Sequence, residues 1–361
     1  GTAQIRETWP DLDRGLSAAD ALEGTELDPH LGHVPEAALE HDPTRNQRPI
    51  SPSSLERLGT CPLAWFYRYV LGLYLPDDPE YDPELWLDPL QRGRLLHEVF
   101  DRFERLFRGR QQEILEDPAE AALLEIVAVA LARWREEVPP PSETVRLAEE
   151  TEIRRSALSF LAMERRQLAR REIERWEEIE FEIDPARARY ALPDGSSFAL
   201  RGRMDRVDRR ADGGLVVIDH KTGVPAKFVV GSKDAPFRGG RLLQPALYAA
   251  AAEQQLGAKV IRFEYRFPTP RGRNEKAAFS AAELARAPAL VLSVLSHTRD
   301  GNFIPTDKPD DCTWCDYRSN CRVRDAEGRF SEPVSPRAEW ARRNATILGL
   351  VAMAARRNKE S

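Results

Sequence analysis

Asp205, Asp219 and Lys221 are the residues whose types and spacing point most directly to chemistry. Leu215, Val216, Val217 and Ile218 form an unbroken apolar run before Asp219, as expected of a central strand buried on both faces. The stretch from Phe198 to Asp208 also has strand character. Between the two lie Ala211, Asp212, Gly213 and Gly214, a turn signal with glycine free to take a positive φ. A hairpin centred on Asp212 sets Asp205 opposite Asp219 on neighbouring strands, with Cβ atoms about 5 Å apart. Alternation then puts Lys221 on the face of Asp219 and turns His220 to the other. Two carboxylates beside an ammonium suit a place where a hard cation meets a phosphate. Oxygen ligands favour Mg²⁺ or Mn²⁺. The lysine can orient or help deprotonate an attacking water, or stabilise charge gathering at phosphorus. A surface hairpin with a salt bridge would also contain Asp-x-Lys; the buried run and the glycine turn argue for a site instead.

The four cysteines form a second constellation: Cys312, Cys315 and Cys321 lie close in sequence, and Cys61 lies far upstream. Two disulfides fit poorly with a chain that lacks a signal-peptide pattern and has a cytoplasmic character. Four thiolates on one centre fit structural Zn²⁺ or an iron–sulfur cluster, and spacing alone favours zinc. Either centre would staple an N-terminal helix to the C-terminal segment and contribute directly to folding.

A length of 361 residues allows one large domain or two modest ones. The net charge of −6 belongs to the first 50 residues, which hold four Arg and ten Asp/Glu; the remainder is balanced. A neutral body with clustered basic faces is compatible with DNA binding. No apolar run reaches the length of a membrane span, so none is expected. Gly1 in place of a methionine suggests a piece of a longer polypeptide. A GxxxxGK[S/T] phosphate loop is absent, so any ATP motor would lie elsewhere.

Residues 1–50 read as an acidic, loosely ordered leader or connector. Ser51, Ser53 and Ser54 form a helix N-cap cluster leading into a segment with Cys61 and the aromatics Trp65, Phe66, Tyr67 and Tyr69. Those aromatics read as core in preference to a base-stacking surface. A proline-rich loop at 76–89 precedes a helix over 91–108, with Leu96, Val99, Phe100, Phe103 and Phe107 on one stripe. Helices over 118–138 and 142–178 are separated by Pro139, Pro140 and Pro141. Strands are expected at 178–184, 197–208 and 215–221, a helix at 241–255, a strand at 259–267 and a helix at 281–298. A last helix over 336–357 carries Arg337, Arg342, Arg343, Arg356 and Arg357, which could track phosphates or simply face solvent. Helices, a mixed sheet with a crossover helix, then more helices make an α/β fold with helical additions.

Taken in order, these motifs resemble the PD-(D/E)xK nucleases of the RecB type, in the iron–sulfur branch. That branch includes the nuclease domains of AddB-like helicase–nuclease subunits and the CRISPR-associated adaptation nucleases. The segment from Ser51 through Glu56 to Cys61 and Pro62 resembles the entry motif with its first cluster cysteine. Gly93 to His97 resembles the helical motif with a metal-binding histidine. Gly202 to Asp208 and Val217 to Lys221 resemble the central active-site motifs, Gln244 to Tyr248 the QxxxY motif, and Cys312, Cys315 and Cys321 the terminal cysteines. The resemblance implies a restriction-endonuclease-like core over 51–325, a mixed central sheet flanked by helices with a cysteine-ligated cluster, and a helical tail over 326–361. It implies that His97, Asp205 and Asp219 bind Mg²⁺ or Mn²⁺ with the backbone carbonyl of His220, and that Lys221 serves the attacking water. Gln244 and Tyr248, neighbours on one helical face, would touch DNA or the active site; Pro245 between them requires the first turn of that helix. Cys61, Cys312, Cys315 and Cys321 would hold a [4Fe-4S] cluster, reversing the preference for zinc. Asp208 and Glu98 stay outside the catalytic set. The implied activity is a metal-dependent deoxyribonuclease, an exonuclease on single-stranded DNA ends, working with a helicase subunit or an upstream motor domain. The alternatives are a non-catalytic DNA-end-binding module of such a complex and a stand-alone adaptation-type nuclease.

Overall fold

A computed structural model gives the structure of the chain and describes residues 4, 7–24, 26–75, 82–170, 173–228, 235–306, 308–318 and 320–321. The Arg-rich segment at 336–357 and the whole of 326–361 lie outside the described residues.

Hydrophobic strand sequence sets the centre of the fold. Strands β1 (Ile173–Ile183), β4 (Gly202–Arg210), β5 (Leu215–His220), β6 (Val260–Arg266) and β7 (Lys276–Ser280) form a five-stranded sheet in the order β1-β4-β5-β6-β7. Only β5 and β6 run parallel. Every residue of β5 is buried, as its apolar run requires. The hairpin has the register expected from a turn at Asp212: Arg206 faces Ile218, Val207 faces Val217, Asp208 faces Val216 and Arg209 faces Leu215. Gly213 turns the chain at φ 84°. Strands β2 (Arg189–Ala191) and β3 (Ser197–Ala199) form a separate two-stranded sheet.

Helices cover both faces. The crossover helix α9 (Gln244–Leu256) and α11 (Ala287–Arg299) lie against the face carrying Val207, Val217, Phe263 and Tyr265, together with α4 (Pro52–Thr60). On the other face lie α6 (Pro89–Phe107), α7 (Pro118–Glu137) and α8 (Glu143–Ala169). Asp88 caps α6: its carboxylate accepts from Leu90 N and Gln91 N, and Gln91 returns a bond to Asp88 N. Phe100 stacks on Phe160 of α8 with ring centroids 4.2 Å apart. Burying such a ring stabilises the pair of helices by about 1.5–3 kcal/mol per side chain.

Several expected boundaries move. The helix expected to reach residue 178 stops at Ala169, and β1 has begun by Ile173. Bulges near Arg175 and Glu178 break the alternation of β1, so its charged first half reads like the helix before it. The strand expected over 197–208 splits at Leu200 and Arg201. Leu200 instead bridges to Ile50, and Gly202 reopens the chain at φ 150°. The helix expected over 281–298 is two, α10 (Ala281–Leu284) and α11, because Pro288 starts a new helix. Strands β2 and β7 carry too little alternation to have been expected. The segment expected to be a loose leader carries helices α1 (Pro10–Glu23), α2 (Pro35–His41) and α3 (Pro43–Asn46). From Asp28 onward it docks on the end of α11: Val34 N donates to Gly301 O and Phe303 N to Gly32 O, each at 2.7 Å. Buried Leu31 and Asp42 hold it there, the latter facing Arg299. Trp65 is core, stacked 5.8 Å from Phe303 and donating its Nε1 to Ser54 Oγ.

The face under α6 and α8 also holds a buried ionic network that composition did not suggest. Arg206 of β4 meets Glu104 of α6, Glu164 of α8 at 3.0 Å and Asp208 at 2.9 Å, with its guanidinium 4.7 Å from the Trp176 ring. Arg266 of β6 meets Glu164 at 3.3 Å and Glu264 at 2.8 Å. Removing one member strands its partners as uncompensated buried charges. Arg206→Met should therefore lower the unfolding free energy in urea by about 3–5 kcal/mol; a change below about 1 kcal/mol would contradict the network. Burial alone would push the Glu264 carboxyl up, but Arg266, Lys276 and Arg262 outweigh it and bring it from 4.5 down to about 2. Its contribution is thus complete above pH 4.5 and lost as pH falls towards 2. Glu264→Gln should flatten the acid limb of the stability curve in that window, measured by denaturation at stepped pH.

Candidate active site

The two carboxylates sit at the end of the β4–β5 hairpin. Continuing the observed register by one pair sets Asp205 opposite Asp219. Asp205 Oδ2 accepts from the backbone N–H of His220 at 2.6 Å, which fixes the hairpin end. Asp219 is nearly buried on the α9 side of β5, paired in the parallel ladder with Tyr265. Lys221 extends that ladder by donating its N–H to Arg266 O at 2.8 Å. Its Nζ lies 2.5 Å from Asp219 Oδ2, as expected of residues two apart on one face.

Gln244, the first residue of α9, ties the pair together. Its Nε2 donates to Asp219 Oδ1 at 2.9 Å, and its Oε1 accepts from Tyr265 OH at 3.0 Å and Lys221 Nζ at 3.5 Å. Pro245 occupies the first turn, where its missing N–H costs no helical bond. Tyr248, one turn further on, lies against Gly202, where a Cβ would sit 3.2 Å from the Tyr248 hydroxyl. The backbone N–H groups of Leu243 and Gln244 both donate to Glu56 Oε1 of α4, at 2.7 and 2.8 Å. Glu56 and Tyr265 are site residues that the sequence reading missed. Glu56 lies in the segment leading to Cys61, but nothing local marks it as a partner of a helix 187 residues away.

His97 approaches from the opposite side, on α6. Its Nδ1 is 3.6 Å from Asp205 Oδ1, and the ring is 39% exposed to the cleft. His220 points away from Asp219, between the rings of Phe100 and Phe160, each 5.7 Å from its centroid. Asp208 belongs to the ionic network on that side, and Glu98 pairs with Arg102 and Arg133 at the cleft wall.

The charges compensate one another. Burial alone would raise the Asp205 carboxyl, yet His97, His220 and Lys221 outweigh it and hold it well below the usual carboxylate range. Burial dominates at Asp219 and raises it, partly offset by Lys221. Burial opposes the cationic forms of His97 and Lys221, but Asp205 and Asp219 raise both above their ordinary values. Burial, helped by Arg206, lowers His220 to about 3, so its imidazole is neutral. Asp205, His97 and Lys221 line a cleft of about 770 Å³, with buried Asp219 against Lys221. Carboxylate oxygens and an imidazole nitrogen are a donor set suited to Mg²⁺ or Mn²⁺.

Among the described residues, the one trio whose ligand atoms all lie within 4.8 Å of each other is Glu104, Glu164 and His220. Arg206 contacts both of its carboxylates, so cationic charge is already in place there. The trio belongs to the ionic network. Among the described residues His97, Asp205 and Asp219 form no such trio.

The cleft wall carries Arg94, Arg102, Arg133 and Arg203. Arg102 pairs with Glu98 at 2.9 Å, Arg133 with Glu137 at 3.0 Å and Arg203 with Glu180 at 2.6 Å. Arg94 is exposed, one helical turn before His97, and among the described residues it pairs with no carboxylate.

The four cysteines gather at the other end of α4. Cys61 ends that helix and precedes α5 (Pro62–Tyr69); Cys312 ends α12 (Pro309–Cys312). All four are free thiols lining one cavity of about 360 Å³. Burial pushes Cys61 up to about 12 and Cys312 up to about 11. Backbone N–H groups of Ala64 and Thr306 point at Cys61 sulfur, the latter at 3.4 Å, and that of Tyr317 at Cys315.

Comparison with known proteins fits this geometry. The chain aligns with an ATP-dependent helicase/deoxyribonuclease subunit from three strains of Clostridium perfringens, 26% identical over 214 residues in each case. The alignment takes in 56% of this chain and 18% of those relatives' length, so the chain spans a small part of them. The model of the PD-(D/E)XK nuclease superfamily matches residues 49–322, a span that includes both the carboxylate cleft and all four cysteines. With three-quarters of its length matched, this chain belongs to the PD-(D/E)XK nuclease superfamily.

Proposed function

We propose that this chain hydrolyses phosphodiester bonds of DNA with Mg²⁺ or Mn²⁺, acting on single-stranded ends as the nuclease part of a helicase–nuclease. The observation that carries the reading is the tie of Gln244 and Asp219 to Lys221, which lines an arginine-walled cleft together with Asp205 and His97. Asp205, Asp219 and His97 would hold the cation, with the His220 carbonyl beside them. Such a cation supplies Lewis-acid stabilisation of phosphoryl charge and a more acidic water. Lys221, kept cationic by its two aspartates, would meet the negative charge of the phosphate instead of accepting a proton. Gln244 holds Asp219 in one orientation and leaves its other oxygen to Lys221. Arg94, whose guanidinium pairs with no carboxylate among the described residues, suits a backbone phosphate entering the cleft. The similarity to a helicase/deoxyribonuclease subunit supports DNA as substrate and a motor as partner. Among the described residues no helix is long and apolar enough to cross a membrane.

The cysteine cavity would hold a [4Fe-4S] cluster. All four cysteine sulfurs would ligate it, since all four thiols line that cavity. The N–H donors aimed at Cys61 and Cys315 suit cluster thiolates.

Labelled single-stranded DNA incubated with Mg²⁺ or Mn²⁺ should be degraded by wild type, and Lys221→Ala should cut about 10²–10³-fold more slowly. Inert wild type with metal and an intact cysteine centre would favour a DNA-end-binding module instead. Protein purified without oxygen should show iron–sulfur absorbance in the visible range, and Cys315→Ala should lose it together with thermal stability. Colourless wild type carrying stoichiometric zinc would rule the cluster out.

A further inference from the structure

The start of α9 poses a physical problem. This helix delivers Gln244 to the Asp219–Lys221 pair, yet Leu243 at its N-cap offers no side-chain acceptor for the free N–H groups of the first turn. Glu56 supplies that acceptor from another helix, taking both Leu243 N and Gln244 N on one carboxylate oxygen. The backbone atom that Glu56 holds belongs to the same residue whose amide orients Asp219.

Glu56 is itself firmly placed. Helix α4 approaches the loop before α9 so closely that a Cβ on Gly59 would lie 2.2 Å from Gly240 O. Arg241 in that loop pairs with Asp311 beside Cys312, at 3.1 Å from its Nε. Thus α4, the loop and the cysteine segment are tied together around the Glu56 contact.

From this we infer that Glu56 is a positioning residue for the metal-binding carboxylate. By capping α9 from α4 it fixes the backbone of Gln244, and Gln244 fixes Asp219 and Lys221. The inference rests on the nuclease reading for its meaning, but it concerns cation affinity and can be measured without turnover. Loss of an outer partner of a metal ligand typically costs about 10–100-fold in metal affinity or activity.

The test compares wild type, Glu56→Ala and Glu56→Gln for Mn²⁺ binding by titration calorimetry, for the Mn²⁺ dependence of DNA cleavage, and for melting temperature. Glu56→Ala should weaken Mn²⁺ binding about tenfold or more and raise the Mn²⁺ concentration for half-maximal cleavage in proportion, with KM for DNA unchanged. Glu56→Gln keeps an acceptor oxygen and should stay within about threefold of wild type. Wild-type Mn²⁺ affinity in folded Glu56→Ala would overturn the proposal, as would an equal defect in Glu56→Gln. If Glu56→Ala does not fold, Glu56→Gln and Glu56→Asp decide: Mn²⁺ affinity insensitive to moving the acceptor back by one methylene also overturns it. Wild type that binds Mn²⁺ without cutting DNA would sink the nuclease reading while leaving the Glu56 comparison intact. Wild type that binds no Mn²⁺ would sink both.

Discussion

Strand β5 is covered on both faces, and the rest of the molecule is arranged around that constraint. A strand so enclosed must sort its side chains by alternation, because each face meets a different set of helices. Val217 and Asp219 face α9; Val216, Ile218 and His220 face α6 and α8. The polar end of the strand is therefore divided as well. Asp219 goes to Lys221 and Gln244, and His220 packs between Phe100 and Phe160.

The two faces solve their electrostatics differently. Under α6 and α8, Arg206 and Arg266 are almost fully buried and surrounded by carboxylates. Each charge there has partners within the protein, and the network locks β4 and β6 to the helices above. At the cleft the carboxylates are compensated by Lys221 and His97, which remain partly exposed. One arrangement is closed and structural; the other opens on solvent. Glu104, Glu164 and His220 lie nearer together than His97, Asp205 and Asp219, yet their charge is already satisfied by Arg206.

A second constraint links distant parts of the chain. Helix α4 carries Glu56 towards α9 and ends at Cys61, so the start of α9 and the thiol cavity share one support. The α4 end of this support comes early in the chain and the Cys312–Cys321 segment late. Their contact closes the domain around the sheet.

The hairpin that carries Asp205, Asp219 and Lys221 was legible in the sequence because its evidence is local: an apolar run, a glycine turn and a two-residue period. Gln244, Tyr248, His97 and the cysteines were legible as ordered motifs; the structure sets His97 in the cleft, Gln244 against Asp219 and the cysteines around one cavity. Bulged β1 and the short β2 and β7 were not legible, since broken or brief alternation carries no period. Tertiary structure alone decided that Glu56 caps α9, that Arg206 and Arg266 are buried, and that residues 28–50 pack against α11. The physical reason is the same in each case. Side-chain type and spacing fix which face a residue takes on its own element, whereas partners separated by a hundred residues or more are chosen only when packed elements bring unsatisfied charges and N–H groups together.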